Sequence, residues 1–119
     1  METSGTLKLL KIYVSNTDKV EHAPLYEAVA FEAKRQEMAG VTVFKGIMGY
    51  GASSKLHSNK SWELVEKVPI VIEIVDTAEK IEKFTEWLIP WIKVLPKGCL
   101  IVSQTVDVHL LKQGAQNPE

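Results

Sequence analysis

The sequence of 119 residues predicts an α+β protein with a ferredoxin-like βαββαβ fold, in which an antiparallel sheet carries two helices on one face. Two observations lead to this fold class. Segments rich in β-branched and aliphatic residues alternate with segments whose apolar residues recur at helical spacing, and their order is strand–helix–strand, twice. A chain of this length suits one compact domain. We place that domain at residues 7–111, between an N-terminal extension (1–6) and a polar tail (112–119).

The first half of the chain supplies a strand, a helix and a second strand. Residues 7–14 (LKLLKIYV) are apolar and alternating, which is typical of a strand. A helix is expected to open at Pro24 and to end just before Gly40, because proline favours a first helical position and glycine a position just past the end. The residues expected to form its buried stripe are Leu25, Tyr26, Val29, Ala30 and Ala33. Residues 41–48 (VTVFKGIM) are the second predicted strand.

The second half repeats the pattern. Residues 69–76 (PIVIEIVD) predict a strand with proline at its first position, where a missing backbone donor is tolerated. Thr77 is the predicted N-cap of the second helix. Pro90 is expected to end or kink that helix, because proline cannot donate a backbone hydrogen bond. The last predicted strand covers residues 99–111.

Both faces of the predicted sheet are apolar. Alternate residues of a strand point to the same face of a sheet, and we call each such set a parity. The parity expected to lie under the helices contains Leu10, Ile12, Val14, Phe44, Met48, Ile70, Ile72, Ile74, Leu100, Val102, Val106 and Val108. The other parity is also mostly aliphatic, with Ile101 among it, and carries one charge in each strand. Large exposed apolar patches mark interfaces, so we expect other copies of the chain to cover this second face. The interface residues predicted from it are Lys11, Tyr13, Val43, Lys45, Ile47, Val71, Glu73, Val75 and Asp107. The alternative is a monomer whose long loop folds back over the sheet.

The composition excludes several classes of protein. Formal net charge is −1 and Arg35 is the one arginine, so the chain lacks the basic character expected of a nucleic-acid-binding protein. No signal-peptide pattern is present, and no stretch approaches the roughly 18 uninterrupted apolar residues that predict a membrane span. Cys99 is the single cysteine and is predicted to be a buried structural thiol. We therefore expect a cytoplasmic protein with no nucleic acid and no membrane insertion.

The segment GIMGYGASSKLHSNK (residues 46–60) opens a long loop that we place at residues 51–67. It is neither a dinucleotide fingerprint nor a P-loop, since no helix-forming segment follows the glycines and the Gly-Lys-Ser/Thr ending is absent. A structural role is that glycines let the strand leave the sheet while Tyr50 anchors the exit. A functional role is that backbone amides bind an anion, with Lys97 and Gly98, of the same or a neighbouring subunit, completing the cleft. The predicted ligand-binding residues are Gly49, Tyr50, Gly51, Ser53, Ser54, Lys55, His57, Lys97 and Gly98.

Other chemistry-bearing residues are few. His57 is either a solvated loop side chain or a sensor of pH or ligand. The histidines lack metal-ligand spacing, so no metal site is predicted. Trp62 and Leu64 in the loop are predicted to bind a partner, the alternative for Trp62 being packing onto its own assembly. No nucleophile–base pair or convergent carboxylates stand out, so no catalytic residue is predicted.

Several segments together resemble a known family. PLYEAV (24–29), AGVTVFKGIMGYGA (39–52), His57 and VPIVIEIVDTAEKIEKF (68–84) are similar to the PII-like family called domain of unknown function 190. The resemblance covers nearly the whole chain. It implies a homotrimer with sheets facing inward, a nucleotide or other small effector bound between subunits, and a long loop that docks onto a transporter or enzyme. It also implies a signalling protein rather than an enzyme.

The sequence departs from PII proteins where phosphate is usually bound. PII proteins carry a glycine-rich turn between the second helix and the last strand, whereas KVLPKG (93–98) has one glycine. Only Lys112 stands for the basic cluster beyond the last strand. We therefore predict a trimeric signalling protein with a small anionic effector, nucleotide or metabolite, and no certain cofactor. The alternatives are an assembly module without a ligand, and a small enzyme acting on phosphorylated substrates.

Overall fold

A four-stranded antiparallel sheet with two helices organises the residues that the computed structural model describes, 2–51 and 67–115. The elements are β1 (Glu2–Ser15), β2 (Lys19–Val20), β3 (Ala23–Pro24), α1 (Leu25–Arg35), β4 (Thr42–Lys45), β5 (Pro69–Asp76), α2 (Ala78–Lys93) and β6 (Leu100–Lys112). The strand order in the sheet is β4-β5-β1-β6, and β2 pairs with β3 in a small separate hairpin. The predicted ferredoxin-like fold is confirmed.

The hydrophobic core lies between the two helices and one face of the central strands. Its buried residues are Leu10, Ile12 and Val14 of β1, Ile70, Ile72 and Ile74 of β5, Leu25, Val29 and Ala33 of α1, and Ile81, Phe84, Leu88 and Ile92 of α2. The alternation of β1 and β5 therefore predicts the correct residues under the helices. In α1 the predicted stripe is confirmed for its three buried members, whereas Tyr26 and Ala30 are half-buried.

Helix α1 ends earlier than the sequence suggests. Its last residue is Arg35, and Glu37 adopts a left-handed conformation with φ 61°. The backbone N–H of Met38 donates to the carbonyl oxygen of Ala33 at 3.0 Å, which closes the helix as a Schellman motif. The expectation that Gly40 lies just past the helix end was wrong, because a glutamate takes the left-handed position that glycine usually occupies.

Helix α2 begins as predicted and ends later. The Oγ1 atom of Thr77 accepts a hydrogen bond from the backbone N–H of Lys80 at 3.2 Å, which confirms the N-cap. The helix continues through Pro90 to Lys93 rather than ending at the proline. Because Ile92 lies beyond Pro90 and is buried, continuing the helix buries another apolar side chain and offsets the lost backbone hydrogen bond.

Strand β1 is longer than expected and forms a ribbon with β6. It starts at Glu2, which pairs with Lys112, so residues predicted to be an N-terminal extension belong to the sheet. Strand β5 ends at Asp76, opposite Lys8. Residues 2–7 of β1 and their β6 partners therefore extend past β5, and we call this part the ribbon. It contributes to an elongated outline of 52 × 34 × 28 Å.

The pairing register of β4 reverses the predicted faces of that strand. Phe44 pairs with Val71, which lies on the face away from the helices. Val43 pairs with Ile72, which is buried under the helices, and Lys45 follows the same parity as Val43. The assignment of Phe44 to the helix face and of Val43 and Lys45 to the opposite face was therefore wrong. All four residues of this edge strand are exposed in the single chain.

The register of β6 reverses its faces in the same way. Leu100 pairs with Tyr13, and Val102 with Lys11, so they lie on the face away from the helices. Ile101, predicted there, pairs with Ile12 on the helix side. The residues predicted on the wrong face of β6 are Leu100, Ile101, Val102, Val106, Asp107 and Val108. The physical reason is that the helices cover the central strands, so helix-side positions of the edge strand such as Ser103 and Thr105 remain exposed and need not be apolar.

The second face of the sheet, which we call the open face, carries no helix. The residues of this parity are Leu7, Leu9, Lys11, Tyr13, Thr42, Phe44, Val71, Glu73, Val75, Leu100, Val102, Gln104, Val106 and Val108, of which Leu7 is already buried within the single chain. Phe44 is 50% exposed and Leu100 is 55% exposed. Lys11 and Glu73 are its charged residues, instead of the four charges expected, because Lys45 and Asp107 belong to the other parity. The open face is thus more apolar than the sequence alone suggests.

Candidate functional site

The loops predicted to bind a ligand leave the sheet at the same end, which we call the loop end. Strand β4 finishes here with Lys45 opposite Ile70, and β5 starts here with Pro69 opposite Ser15 of β1. Strand β6 also starts here, at Leu100. The segments around residues 49–51 and 97–98 therefore both belong to this end of the sheet.

Glycines at the start of the long loop are required by close contact with Pro69. The backbone N–H of Gly46 donates to the carbonyl oxygen of Pro69 at 2.7 Å, and a Cβ at Gly46 would lie 2.7 Å from the proline Cγ. Gly49 has φ 155° and its Cβ would lie 3.2 Å from the same atom. The structural role predicted for the glycines fits Gly49, whereas Gly51 shows neither feature, and ligand binding by both stays a prediction. This role was not assigned to Gly46 from the sequence, although Gly46 and Gly49 are three residues apart and the next strand begins with a proline.

The side chains between these glycines point into solvent. Tyr50 is 79% exposed, so the expectation that it anchors the strand exit by packing was wrong. Met48, expected under the helices, is exposed and lies beyond the end of β4. Ile47 is exposed beside it. The loop end thus presents three large apolar side chains on a backbone held against Pro69.

Asn16 fixes the point where the chain returns to the sheet. Its backbone N–H donates to the carbonyl oxygen of Val68 at 3.0 Å, and its Oδ1 accepts from the backbone N–H of Val68 at 2.8 Å. This double contact extends the β1–β5 pairing beyond the last strand residue. The sequence signal was present in the turn-rich stretch SNTD, since asparagine often bonds neighbouring backbone groups in turns.

A buried carboxylate lies close to Cys99 at the loop end. Asp18 is buried, and its Oδ2 accepts from the backbone N–H of Ser15 at 2.9 Å. Burial, together with the negative charge of Asp18, raises the pKa of the half-buried Cys99 thiol to about 11. The thiol is therefore protonated at neutral pH and is a poor nucleophile, in line with a structural role.

The two groups of described ligand residues belong to different strand connections at the loop end. Residues 49–51 follow β4, and residues 97–98 precede β6, with β5 and β1 between them. Gly49 itself lies against Pro69 of β5, so β1 is the strand that separates it from the β6 side. The contribution of Lys97 and Gly98 to a cleft, from the same or a neighbouring subunit, stays a prediction.

Several predicted functional residues fall outside the described residues. Ser53, Ser54, Lys55, His57, Trp62 and Leu64 lie within 52–66, so their roles stay predictions. In the described ranges, 2–51 and 67–115, no three histidine, cysteine or acidic side chains group in a way that would hold a metal ion. Across the same ranges, no helix has the length and apolar character needed to cross a membrane.

The opposite end of the sheet is held by a clamp around Asp76. This buried carboxylate accepts from the backbone N–H of Thr77 at 2.7 Å and from that of Ala39 at 2.8 Å. The Nζ of Lys80 lies 3.7 Å from Asp76 Oδ2 and also donates to the carbonyl oxygen of Glu37. The clamp ties the connection between α1 and β4 to the start of α2, and was not anticipated from the sequence.

Two shallow grooves flank the clamped connection. One has a volume of about 260 Å³ and includes Thr42, Glu73 and Leu111 in its lining. The other, of about 230 Å³, includes Lys34 and Met38. Residues 39–41 form the wall between them. A Cβ at Gly40 would meet no atom within 4 Å, so this wall accepts a side chain without a clash.

The centre of the open face holds one ion pair among apolar neighbours. Lys11 of β1 and Glu73 of β5 are cross-strand partners, and Lys11 Nζ lies 3.9 Å from Glu73 Oε2. On either side along the strands, Leu9 pairs with Val75 and Tyr13 with Val71. The open face therefore combines a large apolar area with one positive and one negative charge.

The ferredoxin-like topology places the chain in the α+β class, and comparison with known proteins gives its family. A family model described as "Uncharacterized ACR, COG1993" (DUF190) matches residues 7–108, and the chain belongs to this DUF190 family. A UPF0166 protein from Methanocaldococcus jannaschii is 34% identical over 105 residues, covering 88% of this chain and 92% of that protein. A UPF0166 protein from Aquifex aeolicus (strain VF5) is 38% identical over 79 residues, covering 66% and 75%.

Solved PII-like structures share the fold. CPII from Thiomonas intermedia K12, solved with ADP and bicarbonate, matches with a TM-score of 0.64 and 17% identity, covering 89% of this chain and 91% of that one. Another structure of the same protein contains ADP, AMP and acetate and matches with a TM-score of 0.63. A PII-like protein from Thermus thermophilus matches with a TM-score of 0.58 and 20% identity, covering 88% and 91%. The recognition of a PII-like family in the sequence is confirmed.

Proposed function

We propose that this DUF190 protein is a PII-like regulatory protein that assembles as a homotrimer and binds a small anionic effector, nucleotide or metabolite, in clefts between copies. The effector state is read by a partner such as a transporter or enzyme through the segment at residues 51–67. The observation that carries the proposal is the open face, because a sheet that is apolar on both sides is complete only when other copies cover it.

The energetics of the open face support assembly. Burial of apolar surface stabilises by about 25 cal/mol per Å². The apolar side chains in three neighbouring strands include Leu9, Tyr13, Val75 and Val102, and the edge strand β4 adds Phe44. Cyclic association of identical copies, with sheets inward and helices outward, buries every copy of this face in the same way.

The separation of the ligand residues by β1 is compatible with a cleft shared by two copies. Gly49 lies against Pro69 at the start of β5, while Lys97 and Gly98 precede β6, with β1 between the two strands. In a cyclic assembly the β4 edge of one copy lies near the β6 edge of the next, which places an exposed lysine opposite the glycine turn. Nucleotide binding by CPII, a protein of the same fold, makes ADP and AMP the first ligands to test.

The neck of the long segment supports its role in signalling. Gly46 bonds to Pro69 and Asn16 bonds to Val68, so the two places where the segment leaves and rejoins the sheet, which we call the neck, are held by hydrogen bonds. The exposed side chains of Ile47 and Tyr50 adjoin the neck and offer an apolar contact for a partner protein. Trp62 and Leu64 are the partner contacts proposed within the segment.

The described side chains favour regulation over catalysis. Arg35, the arginine that acyl-phosphate hydrolysis on a ferredoxin-like sheet would place at the phosphate, lies on α1 and binds both carboxylate oxygens of Glu32. The raised pKa of Cys99 disfavours the thiolate needed for nucleophilic attack. These groups have structural partners of their own, so a binding protein is the better interpretation.

The proposal is tested by thermal unfolding with ADP, AMP, ATP and bicarbonate, each titrated over three decades of concentration. A ligand that binds only the folded protein stabilises it by about 2.7 kcal/mol at a hundredfold excess over its dissociation constant. We expect at least one anion to raise the Tm in a concentration-dependent manner. Lys97→Ala is expected to reduce the shift, whereas the exposed Lys83→Ala on α2 keeps it.

Light scattering coupled to size-exclusion chromatography tests the assembly separately. A mass of three chains is expected at micromolar concentration, each chain being 13.3 kDa. A monomer at that concentration overturns the assembly and the shared cleft together. A trimer whose Tm responds to none of the four anions overturns their binding, and directs the function toward assembly alone.

A further inference from the structure

We infer that Lys11 and Glu73 form ion pairs between copies of this chain and set the orientation in which the open faces meet. The inference rests on the proposed self-association and goes beyond it by assigning the polar contact that selects one arrangement. A second copy of this chain is thus the partner that the open face recognises.

The pair is incomplete within one copy. Its N–O separation is 3.9 Å, too long for a hydrogen bond, and each side chain keeps 31% of its surface exposed. An ammonium group has three donors, and a carboxylate accepts from several directions. In the described residues, Lys11 Nζ has no hydrogen-bond acceptor and the Glu73 carboxylate has no donor. Both groups have unused hydrogen-bonding capacity directed to the side that other copies are proposed to cover.

The unused hydrogen-bonding capacity of Lys11 and Glu73 becomes important when another surface covers the open face. Lys11 and Glu73 lie on the two central strands, with Leu9, Tyr13 and Val75 among their neighbours, so an arriving surface removes both charges from water. A buried charge without a partner costs several kcal/mol, and the 3.9 Å contact alone does not satisfy either group. A covering surface that supplies a carboxylate for Lys11 and an ammonium for Glu73 removes this cost.

A second copy supplies this pair of charges. The open face carries one positive and one negative residue, and so it is complementary to itself when rotated about a symmetry axis. An apolar face alone permits many sliding arrangements, whereas a central polar contact fixes one register, as buried polar residues do in coiled coils. Lys11 of each copy meeting Glu73 of the next closes the set of charges in a ring.

Charge reversal with mixing separates contacts between copies from contacts within a copy. Lys11→Glu gives a chain with two negative groups on the open face, and Glu73→Lys gives one with two positive groups. We expect each variant alone to associate about 30-fold more weakly than the wild type, and a mixture of the two to form mixed oligomers detectable by native mass spectrometry. The double variant Lys11→Glu/Glu73→Lys is expected to recover association. Arg35→Glu on α1, which reverses a charge far from the open face, is the matched control and keeps the wild-type mass.

The outcomes are distinct. Variants that are folded and monomeric, but form no mixed oligomer, show that the pair acts only within a copy and overturn the inference while the proposed trimer stands. Variants that keep the wild-type mass and affinity also overturn it. A monomeric wild-type protein overturns the proposed assembly itself.

Neutral variants keep the inference testable when a reversal prevents folding, as read by far-UV circular dichroism. Lys11→Met and Glu73→Met each leave one charge without a partner, and each is expected to weaken association by about 30-fold. Lys11→Met/Glu73→Met is expected to associate again, but as a mixture of stoichiometries, because the orienting contact is lost. A single wild-type-like oligomer from all three variants contradicts the inference.

Discussion

The two faces of the same strands show how differently one sheet can be completed. On the helix side, Leu10, Ile12 and Ile72 are fully buried by the chain's own helices. The adjacent residues Tyr13 and Val71 are also largely apolar, but they point to the other face and remain partly exposed. The helix face is buried by intramolecular folding, whereas burial of the open face in the proposed assembly would depend on protein concentration. The following predictions separate these two kinds of stabilisation.

Truncating a residue on each face gives the largest and clearest contrast. Ile72→Ala is expected to lower the free energy of unfolding by about 3 kcal/mol at every protein concentration, because it leaves a cavity in the core. Val71→Ala, its neighbour on the open face, is expected to have a small effect in dilute solution and a larger one where the protein associates. Urea unfolding at two concentrations a hundredfold apart measures both. Equal, concentration-independent losses for the two variants would remove the distinction between the faces.

The clamp that ties the helical layer to the connection before β4 comes next in magnitude. Asp76→Ala leaves the backbone N–H groups of Ala39 and Thr77 without their acceptor, so we expect a loss of about 2 kcal/mol in the free energy of unfolding. Lys80→Met removes only the partly exposed end of the clamp and should cost less than about 1 kcal/mol. Chemical denaturation compares them, and a Lys80→Met loss equal to that of Asp76→Ala would contradict the central role of the carboxylate.

Stabilisation is expected at the end of α1. Glu37 has a left-handed backbone that glycine adopts without strain, so Glu37→Gly should raise the free energy of unfolding by about 1 kcal/mol. The carbonyl oxygen that accepts from Lys80 belongs to the backbone and is retained. Gly40→Ala is the control, since its backbone needs no left-handed conformation and its new Cβ meets no neighbour. A destabilised Glu37→Gly protein would show that the side chain outweighs the backbone strain.

The smallest effect concerns the thiol at the loop end. Because the pKa of Cys99 rises from 9.0 to about 11, the thiolate fraction at pH 8 falls by about a hundredfold relative to an ordinary cysteine. The native protein should react correspondingly slowly with a thiol-specific disulfide reagent, while the protein in guanidinium reacts at the ordinary rate. The folded state favours the protonated thiol, so this contribution to stability is complete below pH 9 and is lost as the pH rises towards 11. Rapid labelling of the native protein at pH 8 would contradict this assignment.

The sequence predicts the central strands better than the edge strands, for a physical reason. Strands β1 and β5 lie under both helices, so the more uniformly apolar parity marks the covered side. In β6 the helix-side positions Ser103 and Thr105 lie outside the cover of the helices, and the apolar parity with Val102 faces the other way. Alternation shows which positions of a strand are apolar. It does not show which face of the sheet the helices cover.

The start of the long loop was predictable from the sequence, but the contacts that hold it were not. Glycines after a β-branched strand indicate the start of the loop, yet Pro69 as the reason for Gly46 required the fold. The contacts made by Asn16 and Asp76 join residues that are distant in sequence, to Val68 and Ala39 respectively. Local patterns predict local structure, while such long-range hydrogen bonds depend on the register of the sheet.

The ribbon formed by the first residues of β1 and the end of β6 has a consequence for dynamics. An isolated pair of strands is only marginally stable in water, and here it continues directly from strands packed in the core. Amide hydrogens near Thr6 should therefore exchange with deuterium much faster than those near Ile12, although both belong to one unbroken strand. We therefore expect the free energy of local opening to fall along β1, from the residues in the core to the first residues of the ribbon.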